Sequence, residues 1–201
     1  MRRSGDAYTC ETKGRQQTAA ILSLARAYGG KPDVRLVSLC ANIGVRESWH
    51  YSGLYKVTDE DILTGRAFDD AIGYCTFPVD IHKADGTILV KNLDGTHREI
   101  SRNGVKESRW LAAGASAAKF WQIPFLTMLV KEHANLLFAG RMLDAEQGAF
   151  SAMRVMVSLN QMGEAAGAAA CMALNEPRGL HGVDAGRLRQ SLKCMGACIV
   201  S

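Results

Sequence analysis

Apolar residues fall along this chain in short, differently spaced clusters, so the pattern predicts a mixture of helices and strands and not a repeat. Met1 to Gln17 is polar and without periodicity, and reads as a poorly ordered lead-in. Ile21, Leu22, Leu24 and Ala25 predict a helix over Thr18–Ala27, stopped by Gly29-Gly30. Val34 to Ile43 is apolar and rich in branched residues, and predicts a well-buried strand. Thr58-Asp-Glu-Asp has the form of a capping box opening a short helix that closes at Gly65. Asp85-Gly86 and Asp94-Gly95 are turn signals flanking Thr87–Asn92, which predicts three short antiparallel strands between Pro78 and Ile100. A helix is expected over Glu107–Lys119, and extended chain at Ile123-Pro124. Asp184 caps a last helix carrying Leu188, Leu192 and Met195, ended by Gly196.

The most informative stretch lies between these parts. Asn135-Leu-Leu-Phe-Ala139 predicts a short buried strand, Gly140 and Gly148 break the following loop, and Ser151 is placed to cap a helix running to about Leu174. Gly163 and Gly167 stand in that helix among five alanines. Each interior glycine costs about 1 kcal/mol relative to alanine, a cost expected where another backbone comes very close. Close packing of the helix on a sheet is therefore expected. It is compatible with a second role, holding the helix N-terminus, with its unpaired N–H groups and partial positive charge, toward an anion. Arg154, expected in the first turn, disagrees with the helix dipole and so points to an anion or an acidic partner.

The 201 residues, 47% of them hydrophobic, suffice for one ordinary domain or a small domain with an excursion. The net charge of +4 is mild, and no basic run interleaves with aromatics, which argues against nucleic-acid binding. No apolar run approaches the roughly 18–20 residues of a membrane span, and no apolar stretch follows the basic start at Arg2-Arg3, so a cytoplasmic protein is expected. The six cysteines are scattered without Cys-x-x-Cys spacing and are expected as reduced residues packed in apolar surroundings. No two of the five histidines lie three or four apart, so no metal site is expected. Asp59-Glu-Asp61 and Asp69-Asp70 sit where helix starts alone account for them, and no Gly-x-Ser-x-Gly elbow is present.

Two blocks carry a family resemblance: Asn42-Ile-Gly-Val-Arg-Glu-Ser-Trp49 through Tyr55–Ile72 to Phe77-Pro-Val-Asp-Ile-His82, and Ile123-Pro-Phe125 through Asn135–Arg141 to Arg154 and Gly163-Glu-Ala-Ala-Gly167. In order and spacing they resemble the C-terminal part of the FAD-dependent oxidoreductases of the glutathione-reductase-like group, in the form common in bacteria. The resemblance runs from about Arg35 to the end, with Lys83–Trp121 poorly matched. It implies a mixed α/β fold: the last strand and long helix of a partial Rossmann-like FAD domain over 131–201, and part of an antiparallel substrate-domain sheet over 18–130.

It also implies FAD as cofactor, with Gly140, Arg141, Ala152 and Arg154 along the ribityl chain and isoalloxazine, and with Arg46, Glu47 and His82 on the substrate side. Two departures stand out. The Gly-x-Gly-x-x-Gly that seats the pyrophosphate occurs nowhere, and Gln147-Gly148 replaces a His-Glu-like pair before the long helix. The expected function is therefore the C-terminal portion of an oxidoreductase passing hydride from a small organic substrate to flavin. Such a portion binds FAD weakly or not at all until a complementing N-terminal polypeptide is supplied. Self-association through the face of Leu136–Phe138 is also expected. The alternative is a non-catalytic remnant or interaction subunit that binds no FAD.

Overall fold

In a computed structural model of the chain, residues 4–44, 47 and 49–200 are described. Contacts divide the chain into two units, Met1–Arg46 and Glu47–Ser201. In the first, helix α1 spans Ser4–Tyr28, beginning well before the periodicity that predicts it. The segment after it is no strand: Val37 is 96% exposed, and residues 31–44 form no ladder. Side-chain to backbone bonds tie it along α1 instead, with Arg15 donating to the Ala41 carbonyl, Arg26 to that of Val34, and the Ile43 N–H to Glu11. A branched run without a partner edge has nowhere to place its N–H and C=O groups, and so stays irregular.

The second unit is a mixed α/β arrangement. Helix α2 is Asp59–Thr64, and its capping box is complete: Thr58 accepts from the Asp61 N–H while Asp61 accepts from that of Thr58. Gly65 closes it at φ +65°, where any side chain would press on the Phe120 carbonyl. Strand β1 (Ala71–Cys75) pairs antiparallel with β6 (Trp121–Pro124). Between them runs a four-stranded antiparallel meander of β2 (Val79–His82), β3 (Ile88–Lys91), β4 (Thr96–Ser101) and β5 (Gly104–Arg109). Both Asp-Gly turns sit where the sequence placed them, joining β2 to β3 and β3 to β4. The helix expected at Glu107–Lys119 is absent: Glu107 to Arg109 belong to β5, with Glu107 opposite Arg98 of β4, and residues 110–119 are bend, turn and coil. An adjacent strand edge outweighed a weak local helix preference.

Helix α3 (Gln147–Met153) packs on β2 and α2, and helix α4 (Met156–Ala173) on β1. Helix α5 (Ala185–Cys194) follows a 3-10 turn at Gly179–Gly182, with Asp184 accepting from the Arg187 N–H as expected. Leu188 and Leu192 are fully buried, whereas Met195, counted on the same face, is exposed. The core gathers Ile62, Ile72, Trp121, Ile123, Phe125 and Met162 between these helices and the β1–β6 pair.

Asn135–Ala139 is not a regular strand; Leu137 makes one isolated antiparallel bridge to Leu129, and Leu136 is exposed. Gly163 and Gly167 also differ from expectation. They lie on the exposed face of α4, where an added Cβ meets nothing. The close approach on that helix occurs elsewhere, at Gly73 of β1, whose Cβ would stand 2.8 Å from Gln161 Cγ.

Candidate functional site

The single long helix expected from Ser151 is two helices with a break at Arg154-Val155. Ser151 is not a cap but lies inside α3. Its hydroxyl donates to the Gly148 carbonyl (2.6 Å) and accepts from the Asp80 N–H (2.9 Å), fastening α3 to β2. Arg154 is the C-cap of α3, so its charge agrees with the dipole of that helix, and the mismatch read from the sequence disappears. Its guanidinium lies over the Phe150 ring at 5.9 Å and reaches the Asp80 carbonyl at 3.4 Å. With Ser151 and Arg154 both bound to β2, the chain turns at Val155 and α4 starts in a new direction.

The two helix starts differ. That of α3 is sealed by protein: Asp59 accepts from the Ala149 N–H at 2.7 Å, and its carboxylate lies 2.5 Å from where a Gly148 Cβ would stand. The start of α4 is open. Val155 provides no side-chain cap, and Met156 and Val157 project into solvent at 81% and 71% exposure. Beneath them Ser158 is 2% exposed, and its hydroxyl has no hydrogen-bond partner among the described residues. A buried hydroxyl without a partner costs about 1–3 kcal/mol, a cost that no contact among the described residues offsets at this turn.

Around this start the fold gathers three of the expected residues in one line of contacts. His82 pairs with Asp80 (3.3 Å), whose backbone meets both Ser151 and Arg154. On the other side of Arg154, the Phe150 ring takes the His50 ring edge-on at 4.8 Å. His50 Nε2 faces Glu47 at 3.0 Å, and His50 Nδ1 donates to the Leu143 carbonyl at 2.8 Å. Glu47, Arg154 and His82 are thus linked through His50, Phe150 and Asp80, none of which the sequence reading selected for a role. The spacing of Glu47 and His50 was the available signal. Arg46 lies outside the described residues.

Gly140 and Arg141 follow a second anchor. The Tyr51 hydroxyl donates to the Thr127 (2.7 Å) and Phe138 (3.3 Å) carbonyls, and its ring stacks on Phe138 at 4.5 Å. Burial, with the Asp144 carboxylate nearby, pushes the phenol well above its ordinary range, so Tyr51 is a fixed neutral donor. The chain then passes Gly140 at φ +120°, a conformation open to glycine, and leaves Arg141 exposed. Ala152, expected along the flavin, is fully buried inside α3, backbone included, and offers no surface to a ligand.

Carboxylate chemistry concentrates away from these residues. Asp61 is 4% exposed; burial raises its pKa, but bonds from the Thr58 backbone, the Tyr55 and Thr58 hydroxyls and Arg66 outweigh that and hold it below the usual carboxylate value. Tyr55 is correspondingly pushed up to about 12, by desolvation and by its bond to Asp61. Arg66 also lies over the Tyr55 and Phe68 rings, so this cluster fixes the ends of α2; the acidic run serves structure. The cysteines are free, as expected, but five of the six are exposed and not packed in apolar surroundings. No group of three or more His, Cys, Asp or Glu among the described residues is arranged to hold a metal ion, and no helix there is long and apolar enough to cross a membrane.

Comparison with known proteins returned no match among curated proteins and none among solved structures. A model of the FAD-dependent oxidoreductase family, however, matches residues 2–192, nearly the whole chain, and the protein belongs to that family.

Proposed function

We propose that this chain is the C-terminal portion of an FAD-dependent oxidoreductase of the glutathione-reductase-like group, cytoplasmic and of bacterial type, which seats the pyrimidine edge of the flavin at the open start of α4. The observation that carries the reading is the orphaned Ser158 hydroxyl beside the uncapped N–H groups of Met156 and Val157. This donor set suits an acceptor edge carrying partial negative charge. Gly140, Arg141 and Arg154 are proposed to line the rest of the flavin, and Glu47 and His82, with Arg46 before them, the substrate side. In this reading 131–201 belong to a Rossmann-like FAD domain and 18–130 to the substrate domain.

When bound, the flavin supplies the hydride-accepting ring; the protein's part is to hold and neutralise it. The dipole of α4 and the Ser158 hydroxyl stabilise negative charge on the pyrimidine edge. Ser151 and Arg154 keep β2 fixed beside α3, so Asp80 holds the His82 ring at a constant place. His50, held through both ring nitrogens, steadies Phe150 under Arg154. The sequence has no Gly-x-Gly-x-x-Gly to form a pyrophosphate cradle. The residues therefore fit the flavin edge of the cofactor and not its phosphates. A complementing polypeptide, or self-association, is proposed to furnish the remainder.

The test is a comparison of FMN with FAD on the purified chain, read by flavin fluorescence and by the backbone amide signals of Met156, Val157 and Ser158. Comparable, weak binding of both ligands with shifts at those three amides is expected, because the adenylate half finds no contacts. FAD preferred over FMN by about a hundredfold, or flavin binding that leaves those amides unmoved, overturns the reading. Co-expression with a polypeptide carrying a phosphate-binding βαβ unit should yield yellow protein. The second reading, a non-catalytic remnant, draws on the sealed start of α3 and the missing phosphate loop. It predicts no flavin response at any concentration and colourless protein in the co-expression.

A further inference from the structure

We infer that the free edge of β5 pairs antiparallel with the β5 edge of a second copy, joining two meanders into one continuous sheet. The fold treats the two edges of the meander differently. At β2 the outward N–H and C=O of Asp80 are taken by Ser151 and Arg154 from the end of α3. At β5, the last strand of the sheet, every residue is exposed, Val105 at 52%. The Trp110 N–H turns inward to the Gly95 carbonyl, so by ladder alternation Ser108 and Lys106 also face β4. Val105, Glu107 and Arg109 therefore turn their N–H and C=O outward, with no strand beyond them among the described residues. Such a row is a template for one more strand.

Charge identifies that strand. A two-fold axis perpendicular to a continuous sheet keeps each face on its own side, so two residues that meet must both be odd or both be even in number. Centred on Lys106, the pairing sets two lysines face to face. Centred on Glu107, it does the same with two glutamates. Centred on Ser108, it sets Glu107 of each copy against Arg109 of the other, and brings each Lys106 opposite the other Trp110. Opposite charges directly across a ladder stabilise it and like charges oppose it. The register centred on Ser108 is therefore selected, and a second copy of the strand supplies the matching charges at both ends. Both groups have capacity to spare. Glu107 Oε1 meets Arg98 at 3.1 Å and Arg109 Nη2 donates to the Asp94 carbonyl, which leaves Glu107 Oε2 and Arg109 Nη1 for the partner. Charges on an edge repel strands at large; these admit their own kind.

In this register each Glu107–Arg109 contact exchanges a pair of main-chain N–H···O bonds beside its ion pair. Main-chain bonds and exposed charges hold the contact with little apolar burial. The dimer is accordingly weak, with a dissociation constant on the order of 0.1–1 mM. It lies across the sheet from β2 and uses none of the residues assigned to the flavin.

Sedimentation velocity of the full chain, from about 20 µM to about 1 mM, reads the equilibrium. Glu107→Arg and Arg109→Glu each set like charges at both contacts, and each alone should weaken the dimer about tenfold or more. Mixed one to one, the two variants should associate again near the parent's strength, because the charges of one then complement those of the other. That recovery also shows both variants to be folded. As a second arm, Ser108→Cys in a chain whose exposed cysteines are serine should oxidise with diamide to a covalent dimer, since the two Ser108 Cα atoms meet at the axis within disulfide reach. Lys106→Cys in the same background should cross-link about tenfold more slowly or less. A chain that stays monomeric and forms no Ser108→Cys dimer overturns the proposal. So does a dimer that both charge variants leave unchanged, a mixture that stays apart, or faster cross-linking at Lys106→Cys than at Ser108→Cys. None of these readouts involves flavin, so their failure leaves the cofactor assignment standing, and the reverse.

Discussion

Replacing Ser158 by alanine separates a ligand-directed hydroxyl from an ordinary buried one. Ser158 is 2% exposed and its Oγ has no hydrogen-bond partner among the described residues. Burying a hydroxyl unpaired costs about 1–3 kcal/mol, which the substitution removes. Alanine adds about 0.5 kcal/mol of helix preference. Against this stands the small void left by one oxygen, about 10 Å³, worth a few tenths of a kcal/mol. The net expectation is a chain more stable by about 1–3 kcal/mol, which raises the melting midpoint by about 3–9 °C for a protein of this size. Flavin binding should move the other way, weakening about 2–10-fold for one lost hydrogen bond. Urea unfolding followed by circular dichroism, with FMN titration on the same samples, reads both. A variant less stable than the parent would mean that the hydroxyl is satisfied within the fold. A stabilised variant with unchanged flavin affinity would detach Ser158 from the cofactor and remove the main support for the site at α4.

Other consequences follow from single contacts. Gly148→Ala places a Cβ 2.5 Å from the Asp59 carboxylate that caps Ala149, and should cost about 1–3 kcal/mol in urea unfolding; an effect under about 0.3 kcal/mol would show that Asp59 is free to move. Gly163→Ala on the open face of α4 should instead add up to about 1 kcal/mol at monomeric concentrations, and a loss in the same assay would mean that the face is covered. Asp61→Asn should cost about 2–4 kcal/mol, because a buried charge with donors from Thr58, Tyr55 and Arg66 is removed. The folded Asp61 carboxyl sits below its unfolded value, so its contribution is complete above the unfolded pKa of about 4 and disappears as pH falls through the lower folded value; the Asn variant should have a flatter acid limb, and parallel limbs would refute the assignment.

The sequence disclosed what local chemistry decides. The Thr58–Asp61 box, the two Asp-Gly turns and the Asp184 cap each complete their hydrogen bonds within a few residues, so neighbours in sequence suffice to predict them. Elements that depend on a distant partner do not follow from local pattern. Val34–Ile43 has the composition of a strand but no edge to pair with, and Asn135–Ala139 secures one bridge only. Residues from Glu107 onward carry a local helix pattern, but Glu107–Arg109 pair with β4, an edge that exists only once the meander is built.

The candidate site divides in the same way, and the reason lies in the break between α3 and α4. No glycine or proline marks Arg154-Val155; the chain turns there because Ser151 and Arg154 are bound to Asp80, more than seventy residues earlier. Without that contact in view, Arg154 reads as a misplaced cation at a helix start, and an anion seems required to balance it. With it, the cation is satisfied by the end of α3 and the Phe150 ring, and the uncapped turn that follows is where the flavin edge is proposed to sit. The same ties leave the start of α4 at the surface and the Ser158 hydroxyl buried beneath it. A chain continuing straight from α3 into α4 would have paired those N–H groups with the preceding turn and left nothing to offer a flavin. Severing the tie should therefore test the site from a distance. Ser151→Ala removes the hydroxyl that holds Asp80 without touching α4. Since that hydroxyl both donates to Gly148 and accepts from Asp80, its loss should cost about 1–3 kcal/mol of stability. It should also shift the amide signals of Met156 and Val157 as the two helices relax toward one axis. Unmoved signals alongside the stability loss would show that the break is set within α4 itself, and that β2 has no part in presenting its N-terminus.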